Sequence, residues 1–205
     1  METEKIEILE KVTKLFLKYG IKSVSMDDIA RELGISKKTL YQYFKDKEEI
    51  IQLIVSEESE KKSCQFSKFF NKDLNAIEES LEVFKIANEY LKEINPVVEY
   101  DLRKYYPKIH KEISEFRTKQ IDETIKKNLL KGISEGLYRN DFDLEIIAKI
   151  HIAGIDLMMS EEFFSTDEFS SKKVFNELFI YHLRGICSKK GLKFLEEKLD
   201  TLKKQ

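Results

Sequence analysis

Chain breakers are scarce in this sequence. Two prolines and seven glycines are spread over 205 residues. A fold of many short strands and tight turns would need more of both, so long helices are favoured. Tryptophan is absent, and cysteine occurs twice, as Cys64 and Cys187. Two cysteines so far apart give no metal-type spacing and too little for a secreted disulfide scaffold; they read as ordinary half-buried thiols. No stretch approaches the roughly 18 apolar residues that a membrane helix needs. Glu2, Glu4 and Lys5 are charged with no apolar run behind them, so no signal peptide is expected. The expectation is a cytoplasmic protein that does not engage the membrane. An excess of one charge is also lacking. The formal net charge is −2 although 36% of residues are charged, so any nucleic-acid surface must be local.

What the chain does have is 41% hydrophobic residues, enough to bury the core of one large or two small domains. They recur at helical spacing. Ile6, Leu9, Val12, Leu15 and Phe16 share one face of a first helix, which Gly20 ends. Ser25 opens a second, with Asp28 three residues later in a capping-box arrangement, and Ile29, Ala30 and Leu33 as its buried face. Gly34 breaks that helix, Ile35 is a buried spacer, and Ser36 caps a third helix anchored by Leu40 and Phe44. Asp46 caps the next, which runs through Ile50, Leu53 and Ile54 toward Phe69 or Phe70. A break at 71–74 precedes a helix to about Glu93. Asn95–Pro96 and Pro107 each start another, the latter closed by Gly136 and by Asn140 with Asp141. Two further apolar helices are expected at about 144–164 and 168–188.

The segment 25–44 carries the functional signal. Two short helices meet at a turn containing Gly34, the plan of a helix-turn-helix. The second, at 37–44, turns Lys37, Lys38, Thr39, Gln42 and Tyr43 outward, with Tyr41 at the edge. These donors and acceptors suit base edges, and the lysines suit phosphates. Lys45 and Lys47 extend the basic patch. Lys47 opens a helix, an unfavourable place for a cation unless an anion lies near.

Residues 6–55 resemble the N-terminal domain of the TetR family of bacterial regulators. The resemblance rests on Ile8, Leu9, Phe16, Gly20, Ser25, Ile29, Ala30, Gly34, Ile35, Ser36, Thr39, Leu40, Tyr41, Tyr43, Phe44, Lys47 and Ile50. Ser25 stands where that family usually has threonine, and Lys38 where many members have a small residue, a difference that bears on base preference. The resemblance implies an all-α protein: an N-terminal three-helix helix-turn-helix domain over 1–46, then a C-terminal helical ligand-binding and dimerisation domain over 47–205. It implies that Ser25, Ser36, Tyr41, Tyr43 and Lys47 hold phosphates of double-stranded operator DNA, while Lys37, Lys38, Thr39 and Gln42 face bases. It implies a homodimer built from two long helices, with Ile150, Ala153, Gly154, Leu157 and Met158 on one face and Val174, Leu178, Phe179, His182, Leu183 and Ile186 on the other. Pairing would let two short helices read half-sites about 34–36 Å apart or a multiple of that. It also implies a small-molecule effector of unknown identity, for which Tyr90, Tyr100, Arg103, Tyr105, Tyr106, His110, Phe116 and His151 are the candidates.

Release of DNA by the effector would make the protein a repressor. His110, His151 and His182 are too scattered for a metal site. No phosphate loop, nucleophile elbow or cofactor motif is present, so neither a cofactor nor a catalytic function is expected. Two other classes remain open. A helical adaptor would bind protein through the same corner, though the polar, basic face at 37–43 offers few apolar anchors. An enzyme would need dispersed residues that no motif marks.

Overall fold

The computed structural model describes residues 2–69, 73–158 and 169–202. Among the described residues ten helices follow one another: α1 (Glu2–Tyr19), α2 (Met26–Leu33), α3 (Lys37–Tyr43), α4 (Lys47–Phe69), α5 (Ala76–Glu93), α6 (Pro96–Tyr105), α7 (Pro107–Ser134), α8 (Leu144–Met158), α9 (Ser171–Ile186) and α10 (Lys189–Leu202). Among the described residues the only extended pairing is an isolated bridge between Tyr138 and Cys187. No described helix is long and apolar enough to cross a membrane.

The chain divides into two compact units, one of residues 1–64 with 94–117, the other of 65–93 with 118–205. Compactness therefore groups the chain otherwise than a boundary at residue 46. The first part of α4 and all of α6 share a unit with the three N-terminal helices.

In the first unit Val12, Ile29, Leu40, Phe44, Ile50 and Ile51 are essentially inaccessible and hold α1, α2, α3 and α4 together. Leu102 of α6 and Ile109 of α7 join the same core. Ile6 departs from the expected face of α1 and is 44% exposed. It lies near the start of the helix, one turn before Leu9, where the core has ended. The second unit buries Ile77, Leu129, Leu183 and Leu195 from α5, α7, α9 and α10.

Helix α10 lies beyond the helices expected from the sequence. Its Leu195 and Leu199 are buried, and Gly191 lets it start against the loop after α7. A Cβ at Gly191 would overlap the Leu137 carbonyl oxygen. Helix α9 starts at Ser171 on an N-cap from Ser170, whose side chain accepts from Lys173 N–H. The expected stretches 159–164 and Glu168 lie outside the described residues.

Candidate functional site

The corner between α2 and α3 is built from short-range bonds. The Ser25 hydroxyl accepts from the Asp28 N–H at 3.2 Å, and the Asp28 carboxylate accepts from the Ser25 N–H at 2.9 Å, a complete capping box. Gly34 then takes φ +68°, which costs a residue with a Cβ far more than glycine. Ser36 caps α3 by accepting from the Thr39 N–H at 3.0 Å. Phe44, at 1% exposure, pins the other end. The bends that orient α3 are thus set by three small residues, all legible in the sequence.

The outward face of α3 carries Lys37, Lys38, Tyr41 and Gln42, all exposed, with Thr39 and Tyr43 half-buried. These side chains do not all stand ready in the same way. Lys37 is held by Asp27 of α2 at 2.6 Å, and that carboxylate raises the pKa of the lysine. The Tyr43 hydroxyl donates to Glu4 of α1 at 3.1 Å. The hydroxyls of Ser25 and Ser36 are engaged in their caps, and Ser36 also meets the Thr39 hydroxyl at 2.7 Å. Lys38 and Gln42 make no hydrogen bond or ion pair with another described residue.

Lys47 has a local reason for opening a helix. Its ammonium donates to the Ile21 carbonyl oxygen and lies over the Phe16 ring at 5.8 Å. Burial, then repulsion from Lys22, lowers its pKa, while Asp101 and Asp28 act in the opposite direction. Asp101 of α6 is 5% exposed, and its carboxylate accepts from the Lys22 N–H at 2.7 Å. Asp27, Lys22 and Asp101 therefore organise this face, and sequence reasoning missed all three. Their partners come from other elements of the chain, so no local spacing reveals them.

The effector candidates fall in both units. Tyr100, Arg103, Tyr105, Tyr106, His110 and Phe116 belong to the first unit, Tyr90 and His151 to the second. Tyr100, Tyr105 and Phe116 are well exposed. Lys104 donates to the Tyr100 hydroxyl at 2.5 Å, and Lys22 lies over the Tyr105 ring at 4.6 Å. His110 meets Glu99 at 3.0 Å. These are surface arrangements of α6 and the start of α7.

The second unit does contain a small cavity, of about 50 Å³. Ser80 of α5, Asn128 of α7, His151 of α8 and Phe179 with His182 of α9 line it among aliphatic side chains. The two imidazoles lie 4.1 Å apart, centre to centre. Burial holds both neutral: it lowers the pKa of His151 to about 3, with His182 adding to the effect, and that of His182 to about 4. Below the cavity, Tyr138 donates to Asn128 Oδ1 at 3.0 Å, and Asn128 donates to the Ala76 carbonyl at 2.9 Å. Gly132 is required there, because a Cβ would enter the Tyr138 ring.

The expected dimer faces divide as well. Ile150 is 59% and Leu157 41% exposed, with Ala153 exposed between them and Ile146 one turn before. This stripe runs along α8 at helical spacing. Phe179 and Leu183, by contrast, are buried within the unit, and His182 lines the cavity. Gly154 serves the packing of α8 on α9, since a Cβ there would press on Leu178.

Residues 8–54 match the family model described as bacterial regulatory proteins, tetR family. An HTH-type transcriptional regulator of Staphylococcus aureus (strain bovine RF122 / ET3-1) is 31% identical over 115 residues, covering 53% of this chain and 62% of the relative. The match thus spans less than two thirds of that relative's length. Among solved structures, a transcriptional regulator from Cytophaga hutchinsonii aligns with a TM-score of 0.72 at 19% identity, over 88% of this chain and 97% of that one. The Bacillus subtilis regulator FadR, solved with stearoyl-CoA, aligns at 0.64 and 19% identity, over 88% and 98%. At these identities the two structures establish the likeness of fold.

Proposed function

We propose, from the premise that the chain belongs to the tetR family of bacterial regulatory proteins, that it is a cytoplasmic transcriptional repressor that binds operator DNA as a homodimer and releases it on binding a small-molecule effector. The observation that carries this reading is the outward face of α3, where Lys38 and Gln42 stand exposed on a helix fixed at both ends by Ser36 and Phe44. Such a helix enters a major groove, with Lys37, Lys38, Thr39 and Gln42 toward base edges and Ser25, Ser36, Tyr41, Tyr43 and Lys47 toward phosphates. Residues 1–46 are then the reading head in function, although they share a compact unit with later helices.

The exposed stripe Ile146, Ile150, Ala153 and Leu157 supports dimerisation through α8, because isolated apolar side chains are common on surfaces but aligned ones mark an interface. Tyr181 of α9 is a second exposed apolar group of this unit, at 80%. The cavity of the second unit supports the effector, as does the ligand held by the Bacillus subtilis neighbour. Effector and operator must then weaken each other's binding by the same factor.

Binding of the purified protein to its own promoter tests the reading, measured by fluorescence anisotropy at two salt concentrations beside an unrelated duplex. Selective binding that weakens steeply with salt is expected. Equal, weak binding to both duplexes would count against a DNA-reading role for α3.

A further inference from the structure

One stretch of the first unit concentrates charge of a single sign. Residues 102–111 hold four cations, Arg103, Lys104, Lys108 and Lys111, and the next acid is Glu112, in a chain whose net charge is −2. Lys111 pairs with Glu115. Arg103, Lys104 and Lys108 are exposed and pair with no carboxylate among the described residues. Cations in the last turn of α6 suit the negative end of its dipole. The same rule runs against Lys108, which stands in the first turn of α7 with no acid there to offset it.

The loop between α1 and α2 adds to this corner. The Lys22 ammonium lies 4.6 Å and the Lys104 ammonium 5.5 Å from the centre of the Tyr105 ring, and Lys104 is also 5.0 Å from that of Tyr100. Two ammonium groups thus gather on one exposed tyrosine although like charges repel. Buried and half-buried groups fix the arrangement. The Lys22 N–H donates to Asp101, one turn before Tyr105 on α6, and the Asn95 amide at the start of α6 donates to the Leu17 carbonyl of α1 at 2.8 Å. The neighbouring acids are turned elsewhere: Asp101 is buried, Glu99 meets His110, and Glu48 acts on Tyr106. The Tyr100 hydroxyl accepts from Lys104, which leaves its O–H free to donate.

This patch adjoins the surface assigned above to DNA. Lys47 donates to the carbonyl of Ile21, the residue before Lys22, and the two lysines are near enough for repulsion to act on Lys47. Ser25 follows three residues after Lys22. Each strand of a duplex carries a phosphate for roughly every 3.4 Å of axis, so a backbone held at Lys47 presents further phosphates beside it.

We propose that Lys22 and Lys104, gathered on Tyr105, bind phosphates of the operator backbone outside the helix-turn-helix, so that α6 forms part of the DNA interface. The inference rests on the regulator reading for its partner. The contacts it adds position the protein and carry no base information.

The test titrates the full chain into the promoter duplex and an unrelated duplex, by fluorescence anisotropy, between about 50 and 200 mM salt. Lys22→Gln, Lys104→Gln and the double variant are compared with the parent. Both side chains are exposed, and the bond from Lys22 to Asp101 is made by the backbone, so the variants should melt with the parent. Each single variant should make the slope of log affinity against log salt shallower by about one, and the double by about two. The loss of affinity in a single variant should shrink about threefold across that salt range. Both duplexes should lose by the same factor, and Lys104→Arg should keep the parent slope. Lys193→Gln, at an exposed position of α10, measures the loss of one charge without contact. Slopes for Lys22→Gln and Lys104→Gln equal to that of Lys193→Gln would overturn the proposal, as would a loss confined to the promoter duplex. Selective promoter binding by the parent with unaltered slopes in the variants sinks the α6 contact alone. Equal binding of both duplexes by the parent, with slopes that still become shallower in the variants, sinks the promoter reading alone.

Discussion

Lys37 and Lys38 are neighbours on one helix, yet their situations differ. Lys37 is paired with Asp27, whereas Lys38 projects without a partner among the described residues. An exposed pair of this kind contributes little to stability, so its weight falls on binding. Asp27→Asn should leave the fold unchanged, free Lys37, and tighten DNA binding. Lys38→Ala should weaken it, and if that lysine meets a phosphate the slope of log affinity against log salt should become shallower by about one. Anisotropy titrations at several salt concentrations check both; identical slopes and affinities in the variants would remove these residues from the interface. The caps at Ser25 and Ser36 and the turn at Gly34 were legible because every partner lies within a few residues. The roles of Lys47 and Asp101 were not, because their partners, Ile21 and Lys22, belong to a loop far away in the chain.

At the scale of elements, helix starts read well wherever asparagine, serine or proline marks them, as at α2, α3, α6 and α7. Helix α10 did not. Its lysines and glutamates give it the look of a solvated tail, while Leu195 and Leu199 are buried and Phe194 packs against the core. Leu195 is nonetheless fully buried beside Leu137 and Leu183 in the second unit's cluster. Leu195→Ala should cost about 2–5 kcal/mol, read from urea unfolding of the full chain; a loss under about 0.5 kcal/mol, the scale of surface substitutions, would mean that α10 does not contribute to the core. The cavity shows the same limit of sequence reasoning. His151 is an effector candidate in the sequence, but Ser80 and Asn128 resemble any helix-surface polar residues until tertiary packing turns them inward. His182 looked like part of an outer face, because periodicity assigns a residue to a stripe without saying which way the stripe points.

For the whole molecule, two buried neutral histidines link folding to pH. Their pKa values lie at about 3 and about 4 in the folded chain, below the usual 6.5. The unfolded chain therefore binds protons that the folded chain refuses, and stability falls as pH drops below about 6.5. The slope should approach about 1.4 kcal/mol per pH unit for each histidine. Urea unfolding at pH 7.5, 6.5 and 5.5 measures it, and His182→Gln should flatten the dependence; an equally steep dependence in that variant would assign it elsewhere. Assembly offers a second test at this scale. Ile150→Glu places a charge in the middle of the α8 stripe and should shift the protein to monomers in analytical ultracentrifugation, with operator affinity falling in step. An unchanged dimer would move the interface away from α8.

The stripe on α8 is short and is built of medium-sized aliphatic side chains. If assembly through it is weak enough that single chains predominate in the cell, the population of paired molecules rises with the square of the number of chains. Gene control would then respond to dosage with a threshold: halving expression would cut the active species fourfold, before any effector is involved.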